Sequence, residues 1–218
     1  VFVNIENVKI VSSNVVIKNC SSVGTGLVTP LQEGMFISLS GLLENVLVEG
    51  NHPTNVKGSV FEVIGPRLVR IANNSYAGTT AVATGIVLGD NNYGVTEQIT
   101  VTGNTLNCPQ DKAFVAYGVK NCSISGNTFY AKDFCDFKMR ESSFTGNMVN
   151  VNNQYALAFD SSTWDGSSHY GSDGPSQNNI ITGNVLNTSR SGSTGPVVIF
   201  RGSGTTTNNS LGGSLANQ

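Results

Sequence analysis

The chain has 218 residues, of which 12% are charged, and its formal net charge is −2 at pH 7 with a pI near 5.6. This weakly acidic balance argues against a nucleic-acid partner and against an anionic membrane surface. No apolar run is long enough to span a bilayer, so we expect no membrane insertion. Gly and Asn supply much of the polar content, which favours strands and tight turns over surface helices.

The predicted elements are short strands that recur from one end of the chain to the other. The chain starts inside a strand-like segment, VFVNIENVKIV, and we therefore expect it to be a piece of a longer polypeptide. The apolar segments that follow are, in chain order, further predicted strands: GMFISLS (34–40), SVFEVIG (59–65), TGIVLGD (84–90), AFVAYGV (113–119), DFCDFKM (133–139), YALAFDS (155–161) and PVVIFRG (196–202).

A second motif alternates with these strands, and it ends in Gly-Asn or a closely related pair. The clearest copies are ITVTGNTL (99–106), CSISGNTF (122–129), SSFTGNMV (142–149) and IITGNVL (180–186). Four weaker copies align with them, and the shortest intervals between the aligned asparagines are close to 20 residues. The aligned positions are Asn19, Asn51, Asn74, Asn104, Asn127, Asn147, Asn184 and Asn209.

Each repeat therefore contains a strand, a corner, a second strand, a Gly-Asn corner and a short third segment. About 20 residues with three short strands make one turn of a parallel β-helix, whereas a propeller blade needs roughly twice that length. Asn side chains at one corner can stack amide on amide, and Asn and Gly tolerate the left-handed backbone of a sharp corner. We predict an all-β fold, a parallel β-helix of about eight coils that forms a single domain over residues 1–218.

With these repeats, the sequence resembles the pectate-lyase-like right-handed parallel β-helix superfamily, and within it most the β-helix domains of bacteriophage tailspikes. The resemblance covers nearly the whole chain and implies a right-handed β-helix. It also implies a homotrimeric tailspike of the virion tail, made in the host cytoplasm, that binds and depolymerises a bacterial capsule or O-antigen polysaccharide. The same superfamily includes polysaccharide lyases, sugar epimerases and non-catalytic adhesins, so those functions stay open.

The cysteines show no CxxC pair and no spacing shared with histidine: Cys20, Cys108, Cys122 and Cys135. A zinc site is therefore not expected, and a disulfide framework is not expected in a domain large enough to have its own core. We predict mostly buried free thiols, and we expect neither a metal nor a cofactor.

The candidate site lies where outward charged side chains follow each other on successive strands. In the segment DFCDFKMRES, strand alternation puts the apolar residues inward and Asp136, Lys138 and Arg140 outward. By the same alternation, Asp160 and Arg201 point outward from the next two coils. Because coils stack in register, we expect Asp160 to lie near Lys138 or Arg140 and beside Arg201.

The longest insertion, SSTWDGSSHYGSDGPSQNN (161–179), follows directly after the strand that ends in FDS. An aromatic ring can stack on the apolar face of a pyranose, and neighbouring acids can bind hydroxyl groups or move protons. We predict that the substrate-binding residues are four residues of this insertion and three basic residues of the strands: Trp164, Asp165, His169, Tyr170, Lys138, Arg140 and Arg201.

Three interpretations of this surface follow. For hydrolysis, Asp136 and Asp160 would be the catalytic pair, one acting as the acid and the other as the carboxylate. For β-elimination, Lys138 or Arg140 would act as the base beside a uronate. The third interpretation is structural, a ladder of ion pairs in which Asp160 joins Arg140 to Arg201 and Asp136 pairs with Lys138. A rod with that ladder would be an adhesin or tail-fibre segment that binds glycan without turnover.

Overall fold

The computed structural model describes residues 3–23, 35–79, 82–89, 96–153, 155–160, 176–189, 197–201, 210–212 and 215–217. Within these ranges the regular secondary structure consists of 22 β-strands, and all their pairings are parallel. In chain order they are β1 (Val3–Lys18), β2 (Ser21–Val23), β3 (Ile37–Glu49), β4 (His52–Thr54), β5 (Gly58–Ile64), β6 (Arg67–Ala72), β7 (Ser75–Ala77), β8 (Ala83–Gly89), β9 (Glu97–Thr102), β10 (Thr105–Lys112), β11 (Phe114–Lys120), β12 (Ser123–Ser125), β13 (Thr128–Asp133), β14 (Cys135–Arg140), β15 (Ser143–Thr145), β16 (Met148–Val151), β17 (Leu157–Asp160), β18 (Ile180–Thr182), β19 (Val185–Thr188), β20 (Val198–Arg201), β21 (Ser210–Gly212) and β22 (Leu215–Asn217).

The strands stack into three faces, because each strand pairs with its counterpart one coil further along the chain. Face 1 contains β5, β8, β11, β14, β17 and β20, and face 2 contains β6, β9, β12, β15, β18 and β21. Face 3 contains β2, β4, β7, β10, β13, β16, β19 and β22. The long strands β1 and β3 continue from face 1 into face 2, so the described strands make eight coils. The predicted all-β parallel β-helix is therefore confirmed.

The core runs along the inside of the rod as one continuous cluster of apolar side chains. Phe137 lies at its centre, with ring centroids 5.6 Å from Phe114, 5.1 Å from Phe144 and 5.0 Å from Phe159. Phe114, Phe137 and Phe159 come from three successive coils and Phe144 from the same coil as Phe137, and offset or edge-on contacts at such distances add to the free energy gained by burial. Ring contacts thus join neighbouring coils, as between Phe137 and Phe159, and also join face 1 to face 2, as between Phe137 and Phe144.

The corner between faces 2 and 3 carries a stack of buried asparagines: Asn51, Asn74, Asn104, Asn127, Asn147 and Asn184. In each neighbouring pair one Nδ2 donates to the next Oδ1 at 2.9–3.1 Å, and the same Oδ1 accepts a backbone N–H. The second N–H of each amide donates to a strand carbonyl. The amides are satisfied within the protein, so the predicted Asn ladder is confirmed as a structural feature.

At the first coil the predicted ladder position was wrong by one residue. Cys20, and not Asn19, lies opposite Asn51, and the Cys20 backbone N–H donates to Asn51 Oδ1 at 3.0 Å. Asn19 instead has a left-handed φ of 55°, as Gly50 does with 66° at the equivalent place one coil later. The pair Asn-Cys therefore occupies the place of Gly-Asn, which the sequence motif alone did not reveal. The last predicted position, Asn209, lies outside the described residues.

All four cysteines are free thiols. Cys108, Cys122 and Cys135 are buried, as the sequence predicted, and Cys20 is half-buried. Burial disfavours the thiolate, which raises the pKa of Cys122 to about 12 and raises the pKa values of Cys108 and Cys135 well above the ordinary range. The three buried thiols therefore behave as small apolar side chains of the core.

Candidate functional site

The outer surface of face 1 has a groove of about 390 Å³ that collects polar side chains. The lining comes from β5, β8 and β11 and from the end of β10, which leads into face 1. Its polar members are Ser59, Glu62, Thr84, Asp111, Lys112 and Tyr117. The groove thus brings two carboxyl groups, one ammonium group and one phenol together on one sheet.

Glu62 enters the groove from β5 because strand alternation turns it outward between two core residues. Phe61 and Val63 are 1% exposed, whereas Glu62 is half-buried at the surface. The Ser38 hydroxyl donates to Glu62 Oε1 and the Ser59 hydroxyl donates to Glu62 Oε2, each at 3.3 Å. Hydrogen bonds to both oxygens fix the orientation of the carboxyl group.

Asp111 and Lys112 reach the same groove from the end of β10. The register of β10 against β13 shifts between Cys108 and Lys112, which is the signature of a bulge that redirects side chains. The Thr84 hydroxyl of β8 donates to Asp111 Oδ2 at 2.7 Å. Asp111 is therefore held beside β8, on the side of the groove where Glu62 lies.

Asp136 lies beneath the wall of this groove and is only 1% exposed. Its Oδ2 accepts a hydrogen bond from Lys112 Nζ at 2.9 Å and another from the Tyr117 hydroxyl at 2.8 Å. Lys112 Nζ also lies 4.9 Å from the ring centroid of Phe134. A buried carboxylate needs such charged and hydrogen-bonding partners, so this arrangement fixes Lys112 and Tyr117 at the groove surface.

Asp136 thus points outward from the core as predicted, but its environment differs from the one expected. Cys135 and Met139 are in the core, which confirms the alternation along β14. The ladder interpretation paired Asp136 with Lys138, and the ion pair described for Asp136 is with Lys112 on the preceding coil. Lys138 lies in register with Tyr117 and is 4% exposed. A catalytic role for Asp136 stays a prediction.

Asp160 and Arg201 lie directly opposite each other in the pairing of β17 with β20, as expected. Asp136 is opposite Ala158, two residues before Asp160, so their Cα atoms are roughly 8 Å apart on neighbouring coils. Continuing the same register by one residue sets Lys138 beside Asp160. The side chains of Asp160 and Arg201 lie outside the described part of the structure, and their assigned roles stay predictions.

Arg140 belongs to a different charged feature, a column at the corner between faces 1 and 2. Along this column Glu44, Arg67, Glu97, Lys120 and Arg140 follow one another in register. Arg67 forms an ion pair with Glu44, and Lys120 forms one with Glu97 at 3.2 Å. An ion-pair ladder therefore exists, but at this corner. The backbone of Arg140 bridges to Gln177 in the next coil, and its expected ion pair with Asp160 stays a prediction because the Asp160 side chain lies outside the described part of the structure.

The four predicted binding residues of the insertion lie outside the described residues: Trp164, Asp165, His169 and Tyr170. Their roles in binding stay predictions. The groove contains Glu62, Asp111, Lys112 and Tyr117, none of which was selected as a site residue from the sequence. A reading of AFVAYGV with a period of two would have turned Tyr117 outward, next to the polar pair that precedes this strand.

Among the described residues, no three His, Cys, Asp or Glu side chains gather closely enough to hold a metal ion. The same residues include no helix that is long and apolar enough to cross a membrane.

Comparisons with known proteins show the fold. No protein-family model and no curated protein sequence matches the chain. Among solved structures, the A-module of the mannuronan C-5 epimerase AlgE6 from Azotobacter vinelandii is similar, with a TM-score of 0.61 and 14% identity over 94% of this chain. The surface adhesin PfbA of Streptococcus pneumoniae is also similar, with a TM-score of 0.56 and 11% identity over 92% of this chain.

The chain spans 55% of the epimerase module and 62% of the adhesin structure, so it corresponds to part of each. At this level of sequence identity, the similarity to these two structures shows the fold alone. That fold is the parallel β-helix that the strand pairing also shows.

Proposed function

We propose that the protein is the β-helical rod of a phage tailspike, which binds a bacterial surface polysaccharide along face 1 and hydrolyses it. The observation that carries the proposal is the groove in which Glu62 and Asp111 are held beside Lys112 and Tyr117. In this proposal the rod belongs to a homotrimer of the virion tail, made in the host cytoplasm and active outside the cell.

Hydrolysis of a glycosidic bond requires one protonated carboxyl group and one carboxylate on opposite sides of the bond. Glu62 and Asp111 supply two such groups at the groove surface, each held by neighbouring hydroxyls. Tyr117 offers a ring and a hydroxyl to a sugar, and Lys112 offers a cation to an acidic substituent. Asp136 acts as a positioning residue, because it holds both of these side chains.

The polymer would continue along face 1 beyond the groove. β14, β17 and β20 follow β11 on this face, so the distance along the rod from β5 to β20 is roughly 24 Å at about 4.8 Å per coil. That distance is long enough for several sugar units. The predicted residues Asp136 and Asp160 belong to β14 and β17 of the same face.

The similar proteins support a polysaccharide partner. A mannuronan C-5 epimerase acts on a sugar polymer, and an adhesin of a bacterial surface shows that the same rod can serve attachment. Only the class of partner, a polysaccharide, is inferred from these similar proteins.

A second candidate is proton abstraction from a uronate, as in a lyase or an epimerase. The contact of the Tyr117 hydroxyl and Lys112 Nζ with one buried carboxylate favours it, because Asp136 can accept a proton that Tyr117 relays from the sugar. Lys112 would then neutralise the carboxylate of the uronate. In this mechanism Lys112 and Tyr117 have the role in proton abstraction that was predicted from the sequence for Lys138 or Arg140.

The test is to incubate the protein with capsule and O-antigen polysaccharides and to measure new reducing ends together with the absorbance of unsaturated sugars. Hydrolysis gives reducing ends alone, β-elimination gives both signals, and epimerisation gives neither but changes the NMR spectrum of the polymer. Binding without any of these changes would contradict catalysis and make the rod an adhesin.

Single-residue variants test which residues are catalytic. We expect E62Q and D111N to lower hydrolysis by about 10²-fold or more. The control is E97Q, which removes a carboxylate from the ion-pair column and should leave turnover unchanged. Full activity of E62Q and D111N, with loss in D136N and D160N, would return the catalytic pair to the two aspartates predicted from sequence. Loss in Y117F and K112M alone would favour proton abstraction.

A further inference from the structure

A second concave surface lies on face 3, away from the groove described above. It is a groove of about 390 Å³ whose lining includes Asn107, Tyr130, Lys132, Asn150 and Asn187. Face 3 meets face 1 at the corner after β10 and β13, so the two grooves are on different sheets of the rod. None of the residues named for the face 1 groove lines this one.

Strand register arranges the polar residues of this groove in a straight row. Asn107 of β10 is opposite Tyr130 of β13, Tyr130 is opposite Asn150 of β16, and Asn150 is opposite Asn187 of β19. The residues that precede them are 0–1% exposed in the core, so the row itself points outward: Leu106, Phe129, Val149 and Leu186. Four successive coils give the row a length of roughly 14 Å.

The row differs from the corner ladder at Asn150, whose amide keeps unused bonding capacity. In the corner ladder each amide is 0–1% exposed and bonds only within the protein. In the row, Asn187 Nδ2 donates to Asn150 Oδ1 at 2.8 Å, and Asn150 Nδ2 donates to the Phe129 carbonyl at 3.5 Å. An amide has two N–H donors and two lone pairs, so Asn150 retains one of each for a ligand. Tyr130 is 43% exposed beside it.

We propose that this row, defined by Asn107, Tyr130, Asn150 and Asn187, binds an uncharged stretch of polysaccharide. An exposed tyrosine ring can stack on the apolar face of a sugar, and flanking amides can donate to and accept from its hydroxyl groups.

Charge distinguishes this groove from the face 1 groove. Among its lining residues Lys132 is the one charged side chain, whereas the face 1 groove contains Glu62, Asp111 and Lys112. The row itself carries no charge, so it can hold a ligand through hydroxyl or acetamido groups alone and requires no acid on that ligand. The inference rests on the proposed function for the class of partner, but it requires no catalysis and no contribution from face 1.

The experiment is affinity electrophoresis of the full chain in gels that contain dextran, yeast mannan or galactan, with alginate and hyaluronan gels for comparison. We expect at least one neutral polymer to retard the wild-type protein, and Y130A to weaken this retardation about tenfold. Y130F keeps the ring and should retain most of the affinity. The control M148A changes an exposed side chain of the same face outside the row and should behave as wild type.

Face 1 variants separate the two proposals. If E62Q and D111N abolish turnover but leave the retardation intact, both sites stand, and retardation without any turnover would sink the catalytic proposal alone. Equal retardation of Y130A and the wild type would overturn the face 3 site, as would retardation by the acidic polymers only. A change in sedimentation coefficient in Y130A would also overturn it, because the row would then be a contact between copies of the chain.

Discussion

Asn104 occupies the middle of the corner ladder, and its buried side-chain amide forms hydrogen bonds to the ladder residues on both sides. Its Nδ2 donates to Asn127 Oδ1 and to the Ile71 carbonyl, each at 2.9 Å, and its Oδ1 accepts from the Asn74 backbone and side chain. Removing this amide leaves several buried donors and acceptors without a partner, and each such group costs about 1–3 kcal/mol.

We therefore expect N104A to lower the free energy of unfolding by about 3 kcal/mol, measured by urea denaturation. N104D should cost at least as much, because its second oxygen would face Asn127 Oδ1 and the Ile71 carbonyl in a buried place. The matched control is N107A, an exposed amide of the same coil, which should stay within about 0.5 kcal/mol of wild type. An N104A protein as stable as N107A would contradict a structural role for the ladder.

Two lysines, one on β10 and one on β11, show how burial changes the contribution of an ion pair to the free energy of unfolding. Lys112 pairs with Asp136 at 2.9 Å, where the Asp136 side chain is 2% exposed, whereas Lys120 pairs with Glu97 at 3.2 Å, where the side chains are 36% and 23% exposed. Removing one partner of a buried pair leaves a desolvated charge, whereas an exposed pair contributes at most about 1 kcal/mol.

We expect K112M to destabilise the protein by about 2 kcal/mol or more and K120M by less than about 1 kcal/mol, measured by thermal unfolding at constant pH. D136N should cost less than K112M, because the amide keeps an acceptor for the Tyr117 hydroxyl without a buried charge. Equal effects of K112M and K120M would mean that water reaches Asp136.

The candidate site could be predicted only in part, and these residues show why. The outward direction of Asp136 follows from alternation along one strand. Its partners Lys112 and Tyr117 come from the preceding coil, 24 and 19 residues earlier, and a bulge in β10 sets the direction of Lys112. Which side chain covers a strand residue depends on the register between coils and on local bulges, and a single repeat motif determines neither.

At the scale of the element, the short corner before the ladder has the same backbone conformation in each of the seven coils where it is described. The residue that precedes the ladder position has a left-handed φ of 55–66° in seven coils: Asn19, Gly50, Asn73, Gly103, Gly126, Gly146 and Gly183. Gly and Asn adopt this conformation at low cost, which explains why the sequence motif predicted the corner. The strands could be predicted for the same reason, since alternation and corner residues are both local.

Two of these glycines differ in what a side chain would meet. A Cβ at Gly103 would lie 2.6 Å from Asn73 Oδ1, whereas a Cβ at Gly126 would meet nothing within 4 Å among the described residues. An Asn side chain in one coil therefore requires a small residue at the same corner in the next. Local propensity is the same at both positions, so this requirement becomes visible only in the stacked structure.

We expect G126N to change the free energy of unfolding by less than about 1 kcal/mol, because Asn tolerates this φ. G103N should cost about 1–2 kcal/mol more, since the Asn73 side chain must move aside. The double variant N73G/G103N should recover most of that loss in a double-mutant cycle measured by urea denaturation. Additive effects of the two substitutions would contradict direct contact between neighbouring corners.

At the scale of the whole molecule, strand pairing in the described part of the chain joins each coil to the coils before and after it. Stability in such a rod is approximately a sum of coil and interface contributions, so the end coils should open more readily than the central ones. The reactivity of the cysteine thiols can measure this difference in opening between end coils and central coils. Cys20 is half-buried in the first described coil, whereas Cys108, Cys122 and Cys135 are buried in successive central coils.

We expect Cys20 to react with an aromatic disulfide reagent at pH 8 without denaturant. The three central thiols should react at a rate that is lower by a factor of about 10³ or more. Their raised pKa values suppress the thiolate while the coils stay closed, so labelling requires opening of the core. C20S should remove the fast phase and leave the slow phase unchanged.

The urea dependence of the slow phase then decides how the rod opens. If Cys108, Cys122 and Cys135 label at one rate with one urea dependence, the central coils open as a single cooperative unit. That is the expected result, because Phe114, Phe137 and their stacked neighbours tie these coils into one core. Three separate rates would mean that coils open one at a time, and the core stacking would then contribute less to cooperativity than the strand ladders between neighbouring coils.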